Sequence, residues 1–261
     1  MLGLAIEDVR LTFNLFAMNI RDRYLGSSLG SAWAVANPLF MLALYTFLFG
    51  YVIKVRLPGA ETTFAYALWL ISGYGPWIGT VESLSASTSS VVGATGIVKN
   101  LAIKTELLPI AATFVGLVSV SVCLIFLNLL LLADGRLPGI HTLWLPVVVV
   151  VHFLLLAALG LWLSAINVFA RDLGQALPNL LTIAMFSTPI FYPIDNLPEL
   201  FQRITRVNPF YILVESYRSV ILTQAMPPLG GLAYVLALAI VAFVSGLFMF
   251  RRVKGQFSSM L

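Results

Sequence analysis

Few side chains in this sequence are of the types that do covalent or metal chemistry, and their spacing keeps them apart. Its two histidines, His141 and His152, stand in no HExxH frame and have no carboxylate at helical spacing, so a metal-dependent hydrolase is not written here. His152 is alone in an apolar run, the position of a packed or hydrogen-bonded helix residue. The one cysteine, Cys123, also lies in an apolar run. It excludes an internal disulfide framework, a zinc cluster and an iron–sulfur site built from cysteine. No GxxxxGK[ST] occurs and the dipeptide Gly-Lys is absent, which leaves no Walker A loop to cradle a nucleotide. Apart from Glu82, the apolar segments hold none of the acids and bases that an ion-coupled carrier uses. The chain reads as having no catalytic residue, no metal ligands and no cofactor of its own.

Chemistry being so sparse, the elements themselves carry the reading. Of 261 residues, 60% are hydrophobic and only 10% charged, with a mean hydropathy of +0.97, whereas a soluble domain is about a quarter charged. A water-soluble globule is excluded. Fifteen Lys and Arg against eleven Asp and Glu fall in short clusters between long apolar runs. That pattern is a polytopic membrane protein, not a basic nucleic-acid binder. The first thirty residues carry Glu7, Asp8, Arg10, Arg21, Asp22 and Arg23 and lack signal-peptide organisation, so insertion is expected to rely on the spans.

A helix needs roughly 20 mostly apolar residues to cross the hydrocarbon. Six segments free of Asp, Glu, Lys and Arg qualify: Ser31–Ile53, Thr62–Val81, Leu107–Ala133, Leu143–Ala170, Leu173–Ile194 and Pro228–Phe250. The expected fold is thus an all-α membrane protein of six transmembrane helices in a single domain, 1–261. Residues 1–30 precede the spans, 31–194 hold spans one to five, 228–250 form span six and 251–261 the tail. An even number of spans puts both termini on one side, and Arg251, Arg252 and Lys254 abut the last span while Arg10, Arg21 and Arg23 precede the first. The positive-inside rule makes that side the cytoplasm. Lys99, Lys104 and Arg171 agree; Lys54, Arg56, Arg136, Arg203, Arg206 and Arg218 fall outside. Arg171 and Asp172 read as a tight turn, and Pro178 predicts a kink in span five.

Four stretches are neither simple span nor simple loop. Leu4, Val9, Phe13, Phe16 and Ile20 make an amphipathic helix lying in the interface, either a surface anchor or a platform for a cytoplasmic partner. Span two holds Gly73, Gly75 and Pro76, then Glu82 and a Ser/Thr stretch up to Ser90. It is expected to be broken or to extend into the cytoplasm, as a pathway lining or as a packing kink. The connection Gly96–Pro109 predicts a short amphipathic helix on the cytoplasmic surface. Within 195–224, Pro198 and Pro209 punctuate two segments too short to span, Leu197–Val207 and Pro209–Thr223, which read as re-entrant half-helices on the outer face. The Gly26/Gly30 and Gly75/Gly79 spacings match GxxxG without sitting in an uninterrupted apolar 20-mer.

The stretch Arg21-Asp-Arg-Tyr24-Leu-Gly-Ser-Ser-Leu-Gly30-Ser-Ala-Trp33, followed by Asn37-Pro38-Leu39, resembles the lead into the first span of ABC-2-type polysaccharide export permeases. These are the membrane subunits of O-antigen, teichoic acid and capsule exporters. Trp77, Asn100 with Lys104 and Pro109, Ala170-Arg171-Asp172-Leu173, Ser187-Thr-Pro-Ile-Phe-Tyr-Pro193, and Asn208-Pro-Phe-Tyr211 with Tyr217-Arg218 extend the likeness along the whole chain. It implies a homodimer bound to two copies of a separate nucleotide-binding subunit, which holds the ATP and Mg. It implies that Arg10, Lys99, Asn100, Lys104 and Glu106 couple to that subunit. Spans one and five of both copies would form the channel, with Trp33, Phe186, Phe191 and Tyr192 as aromatics for sugar. Phe210, Tyr211, Glu215, Tyr217 and Arg218 would belong to the outer gate, and Arg21, Arg23, Tyr24 and Gly30 to the lead-in motif.

The implied activity is export of an undecaprenyl-linked polysaccharide, O-antigen first, across a bacterial inner membrane. Membrane lipid is the other expected partner, and nucleic acid is not one. Capsule or teichoic acid export, drug or lipid export by the same kind of subunit, and a non-transport membrane assembly factor are the rival readings. An intramembrane enzyme is the weakest of them.

Overall fold

The computed structural model describes residues 6–24, 28–55, 62–100 and 104–260. Among them every regular element is helical, as the composition requires of a chain that must satisfy its backbone without water. Helix α1 (Ile6–Tyr24) leads into a nearly continuous first span. Gly30, at φ +49°, opens that span in the left-handed region that glycine enters freely. A 3-10 turn passes into α2 (Trp33–Tyr45), which runs on as a π-helix over Thr46–Val52. The next four helices are α3 (Thr63–Gly93), α4 (Thr95–Asn100), α5 (Leu107–Thr113) and α6 (Val115–Ala133), followed by α7 (Leu145–Phe169) and α8 (Asp172–Ser187). The chain closes with α9 (Glu199–Arg206), α10 (Pro209–Ile221), α11 (Leu229–Val253) and α12 (Phe257–Met260).

Among the described residues four helical stretches are long and apolar enough to cross a membrane: Gly30–Val52, Leu107–Ala133, Ile140–Phe169 and Leu229–Gln256. Two of the six expected spans fall outside that measure. Helix α8 has only 16 residues, because Pro189 and Pro193 follow it and cannot continue the ladder. Helix α3 is diluted in its first half by Tyr66, Trp69, Tyr74, Pro76 and Trp77 and in its second half by the Ser/Thr stretch.

That second half is the main surprise of α3. The helix is unbroken for 31 residues despite Pro76, so the break expected in span two is not what the chain adopts. Thr80, Ser83, Ser87 and Thr88 form a buried seam in which each finds a partner, while Ser89 stays exposed. Ser83 Oγ donates to the Thr113 carbonyl at 2.6 Å and Ser87 Oγ to the Pro109 carbonyl at 3.1 Å. Asn167 Nδ2 donates to the Thr88 carbonyl at 3.0 Å, and Thr80 Oγ1 lies 2.9 Å from His152 Nε2. Helix α3 is thereby locked to α5 and α7 by hydrogen bonds, which hold helices together where lipid supplies no hydrophobic drive.

Against α6 the contact is made by small residues. A Cβ at Gly79 would collide with Val120 and with the backbone of Gly116, and a Cβ at Gly116 would land on the Gly79 carbonyl. The Gly75/Gly79 pair thus serves a crossing within the chain. Around it Tyr66, Leu70, Trp77, Cys123, Leu127, Leu155 and Tyr217 form the main core.

Candidate functional site

A cavity of about 1170 Å³ lies between α1, α2, α3 and α8. It follows α3 from Tyr74 to Gly93, which at 1.5 Å per residue is about 28 Å. Its lining changes character along that path. Tyr45 of α2 with Tyr74 and Trp77 of α3 supply aromatic faces, while Asp22 and Arg23 of α1 with Glu82, Ser85 and Ser89 of α3 supply polar groups. From α8 come Pro178, Leu181, Thr182 and Met185.

Arg23 and Glu82 form an ion pair within this cavity. Arg23 Nη2 donates to Glu82 Oε1 at 2.6 Å, and Ser119 Oγ donates to Glu82 Oε2 at 2.6 Å. One carboxylate of α3 thus ties the lead-in helix to the membrane bundle. Glu82 was legible as an odd acid near a span boundary, whereas its partner on α1 was not. At the aromatic end Tyr45 meets Tyr74 edge-on at 4.8 Å, and both rings lie against Phe191. The indole N–H of Trp77 is buried without a hydrogen-bond partner.

The four aromatics expected to meet sugar divide into two groups. Trp33 and Phe186 are exposed, at 46% and 48%, on α2 and α8. Phe191 is 1% exposed and stacked on Phe49 at 4.8 Å, so it is a core residue beneath the aromatic end. Tyr192 is half-buried, its hydroxyl donating to the Phe186 carbonyl at 2.6 Å.

The residues expected at an outer gate sit on α10, which Asn208 caps by accepting from the Phe210 N–H at 2.9 Å. Arg218 is 5% exposed. Its Nη1 donates to the Pro189 carbonyl at 3.0 Å and to Glu215 at 2.8 Å, its Nη2 to the Ile190 carbonyl at 3.1 Å, and the guanidinium lies 3.6 Å over the Trp69 ring. Arg218 fastens α10 to the segment leaving α8. Tyr217 is fully buried, 3.2 Å from His152 Nδ1. Phe210 packs edge-on against Trp77 at 5.5 Å, and Tyr211 is half-buried.

The residues expected to couple to a partner subunit are not held as one cluster. Lys104 donates to Asp8 of α1 at 2.6 Å. Glu106 instead accepts from Arg251 at 3.0 Å and from Lys254 at 3.2 Å, at the far end of α11. Burial alone would raise the Glu106 carboxyl. Its own backbone hydrogen bond and the bonds from Lys254 and Arg251 outweigh that and hold it below the ordinary value. Arg10 and Arg21 are exposed on α1. The backbone of Lys99 and Asn100 ends α4, but their side chains, like that of Tyr24, lie outside the described residues. Among the described residues no group of three His, Cys, Asp or Glu is placed to hold a metal ion.

Comparison with known proteins finds relatives along almost the whole chain. The chain is 26% identical over 250 residues to the O-antigen export system permease protein RfbA of Myxococcus xanthus, covering 95% of this chain and 94% of the relative. A protein of the same name from Klebsiella pneumoniae is 26% identical over 93% of this chain and 92% of its own. The polysialic acid transport protein KpsM of Escherichia coli is 21% identical over 91% of each. The ABC-2 type transporter family matches residues 10–222, more than half the chain, and the protein belongs to that family.

Proposed function

We propose that this chain is the membrane subunit of an ABC exporter that moves a lipid-linked polysaccharide, of the O-antigen type, out of the cytoplasm of a bacterium. The observation that carries the reading is the long cavity along α3, walled by aromatic rings at one end and by paired charges and hydroxyls at the other. A hydrated glycan is too long for a closed chamber of ordinary size, and a path with many weak stacking and hydrogen-bonding sites lets it slide. The names of the relatives from Myxococcus and Klebsiella support the same substrate class.

In this reading α3 and α8 complete six spans, both termini face the cytoplasm, and α9 and α10 dip into the outer leaflet as a gate. Two copies of the chain pair so that α2 and α8 of each face a shared path. Their outward apolar surfaces, including Phe40, Phe47, Ile183 and Phe186, suit such a contact. Two copies of a separate ATPase dock beneath, on α1 and on the α4 connection. Undecaprenyl is the proposed carrier lipid, and the chain itself hydrolyses nothing. A second reading, export of a capsular polymer, is favoured by the likeness to the Escherichia coli relative.

The test is deletion of the gene in its host with restoration on a plasmid, followed by gel analysis of surface glycan and of lipid-linked precursor. Loss of surface polymer with precursor accumulating inside is the expected result, and the identity of the polymer separates O-antigen from capsule. Unchanged surface glycan overturns the proposal.

A further inference from the structure

A second cavity, about 620 Å³, lies on another side of the bundle, between α1, the α5–α6 pair and α11. Its walls are almost wholly apolar. Phe243 and Leu247 of α11 stand one helical turn apart, facing Phe16 of α1 and Phe114 and Leu117 of the α5–α6 pair. One turn beyond Leu247 the wall ends in Arg251, beside Glu106, Lys104 and Asp8.

The arrangement of charge at that end is lopsided. Lys104, Arg251 and Lys254 are exposed at 49%, 43% and 39%, whereas Asp8 and Glu106, which they bind, are exposed at 9% and 5%. Arg251 and Lys254 share the one carboxylate of Glu106, which is turned inward. What the rim shows to its surroundings is therefore positive, directly above an oily groove.

We propose that this groove binds one anionic phospholipid from the leaflet at the α1 end of the bundle. An acyl chain lies along Phe243, Leu247 and Phe114, and the phosphate meets Arg251 and Lys254. The polarity of such a lipid, apolar along its length and anionic at its head, matches that of the groove. Basic side chains at a membrane surface each favour anionic lipid by an amount that changes binding about fivefold. The bound lipid completes the packing between α1 and α11, which touch the same α5 segment but leave this gap between them.

The test uses the full chain purified in detergent and mixed with micelles carrying either phosphatidylglycerol or phosphatidylcholine of matched acyl chains, with retained lipid read by native mass spectrometry. The wild type is expected to retain phosphatidylglycerol preferentially. Lys254→Gln, which leaves Arg251 on Glu106, is expected to lower that preference about fivefold. Thr12→Trp, which fills the groove from a half-buried position on α1, is expected to lose both lipids while eluting as the wild type does. If Thr12→Trp elutes abnormally, Val9→Trp, at a 63% exposed position lining the same groove, replaces it. Equal retention of the two lipids by the wild type overturns the proposal, as does undiminished phosphatidylglycerol on the filled groove. Lipid loss accompanied by a change in oligomeric state also overturns it, since the groove would then be a contact between copies of the chain.

Discussion

Glu106 accepts a hydrogen bond from Arg251 at 3.0 Å across 145 residues of chain. The bond joins the start of α5 to the end of α11. With Lys254 on its second oxygen, this carboxylate gathers the two helix ends and the C-terminal tail at one point on the bundle.

Glu106→Gln is expected to lower stability by about 1–2 kcal/mol, the range for charge-assisted bonds whose donors remain partly in water. The sign of the pH dependence follows from the depressed carboxyl. Its contribution is complete above the ordinary carboxylate value of about 4.3 and is lost as pH falls through the lower folded value. Melting curves in detergent from neutral to acid pH check this. The wild type should lose its advantage over the Gln variant only at the acid end, and a gap that stays constant would mean the charge is not what stabilises.

Arg218→Ala is expected to cost about 2–4 kcal/mol, because it leaves the Pro189 and Ile190 carbonyls and the Trp69 face without their partner. Arg218→Lys should recover only part, since an ammonium cannot reach two carbonyls as a planar fork does. Thermal shift of the two variants checks the order, and export assays should show α10 loosened in both.

Gly116→Ala is expected to destabilise by about 1–3 kcal/mol, the range for overpacking where the neighbour is backbone and cannot yield. Gly93→Ala, where an added Cβ meets nothing within 4 Å, is the control. Expression and melting temperature of the pair should differ in that direction.

Trp33→Ala and Phe191→Ala separate an exposed ring, which the proposal puts on the path between two copies, from a core ring. Trp33 is half exposed and Phe191 buried, so the first should slow glycan export with little loss of protein. The second should lose about 3–5 kcal/mol of stability, and protein with it. Immunoblots beside surface-glycan gels measure both quantities.

The distribution of apolar residues made the main helices legible, because a chain with so few charges has few ways to enter a bilayer. Leu107–Ala133 is bounded in the structure as its composition implies, although the interruption at Phe114 between α5 and α6 carries no such mark. The prolines that bracket Glu199–Arg206 and Pro209–Ile221 also announced two short helices. The course of α3 was harder to read. Thr80, Ser83 and Ser87 recur at helical spacing on one face, yet only the positions of Thr113, Pro109 and His152 on other helices reveal that this face is buried and satisfied. Arg218 is a similar case. Composition puts an arginine in solvent, and the ring of Trp69 with the Pro189 and Ile190 carbonyls, beside Glu215 one turn back, makes a buried place for it. The cavity itself is a product of assembly, drawn from α1, α2, α3 and α8, and no local pattern encodes it.

The most direct test of the cavity as the glycan path is Ser89→Cys, an exposed position on its wall, in a chain whose one native thiol, Cys123, is fully buried. The variant is reconstituted with its ATPase in vesicles, and ATP-dependent movement of lipid-linked glycan is measured before and after a bulky thiol reagent. The account predicts transport that requires ATP, survives the substitution and stops on labelling, while the wild type is indifferent to the reagent. Transport that continues after Ser89→Cys has been fully labelled would contradict it.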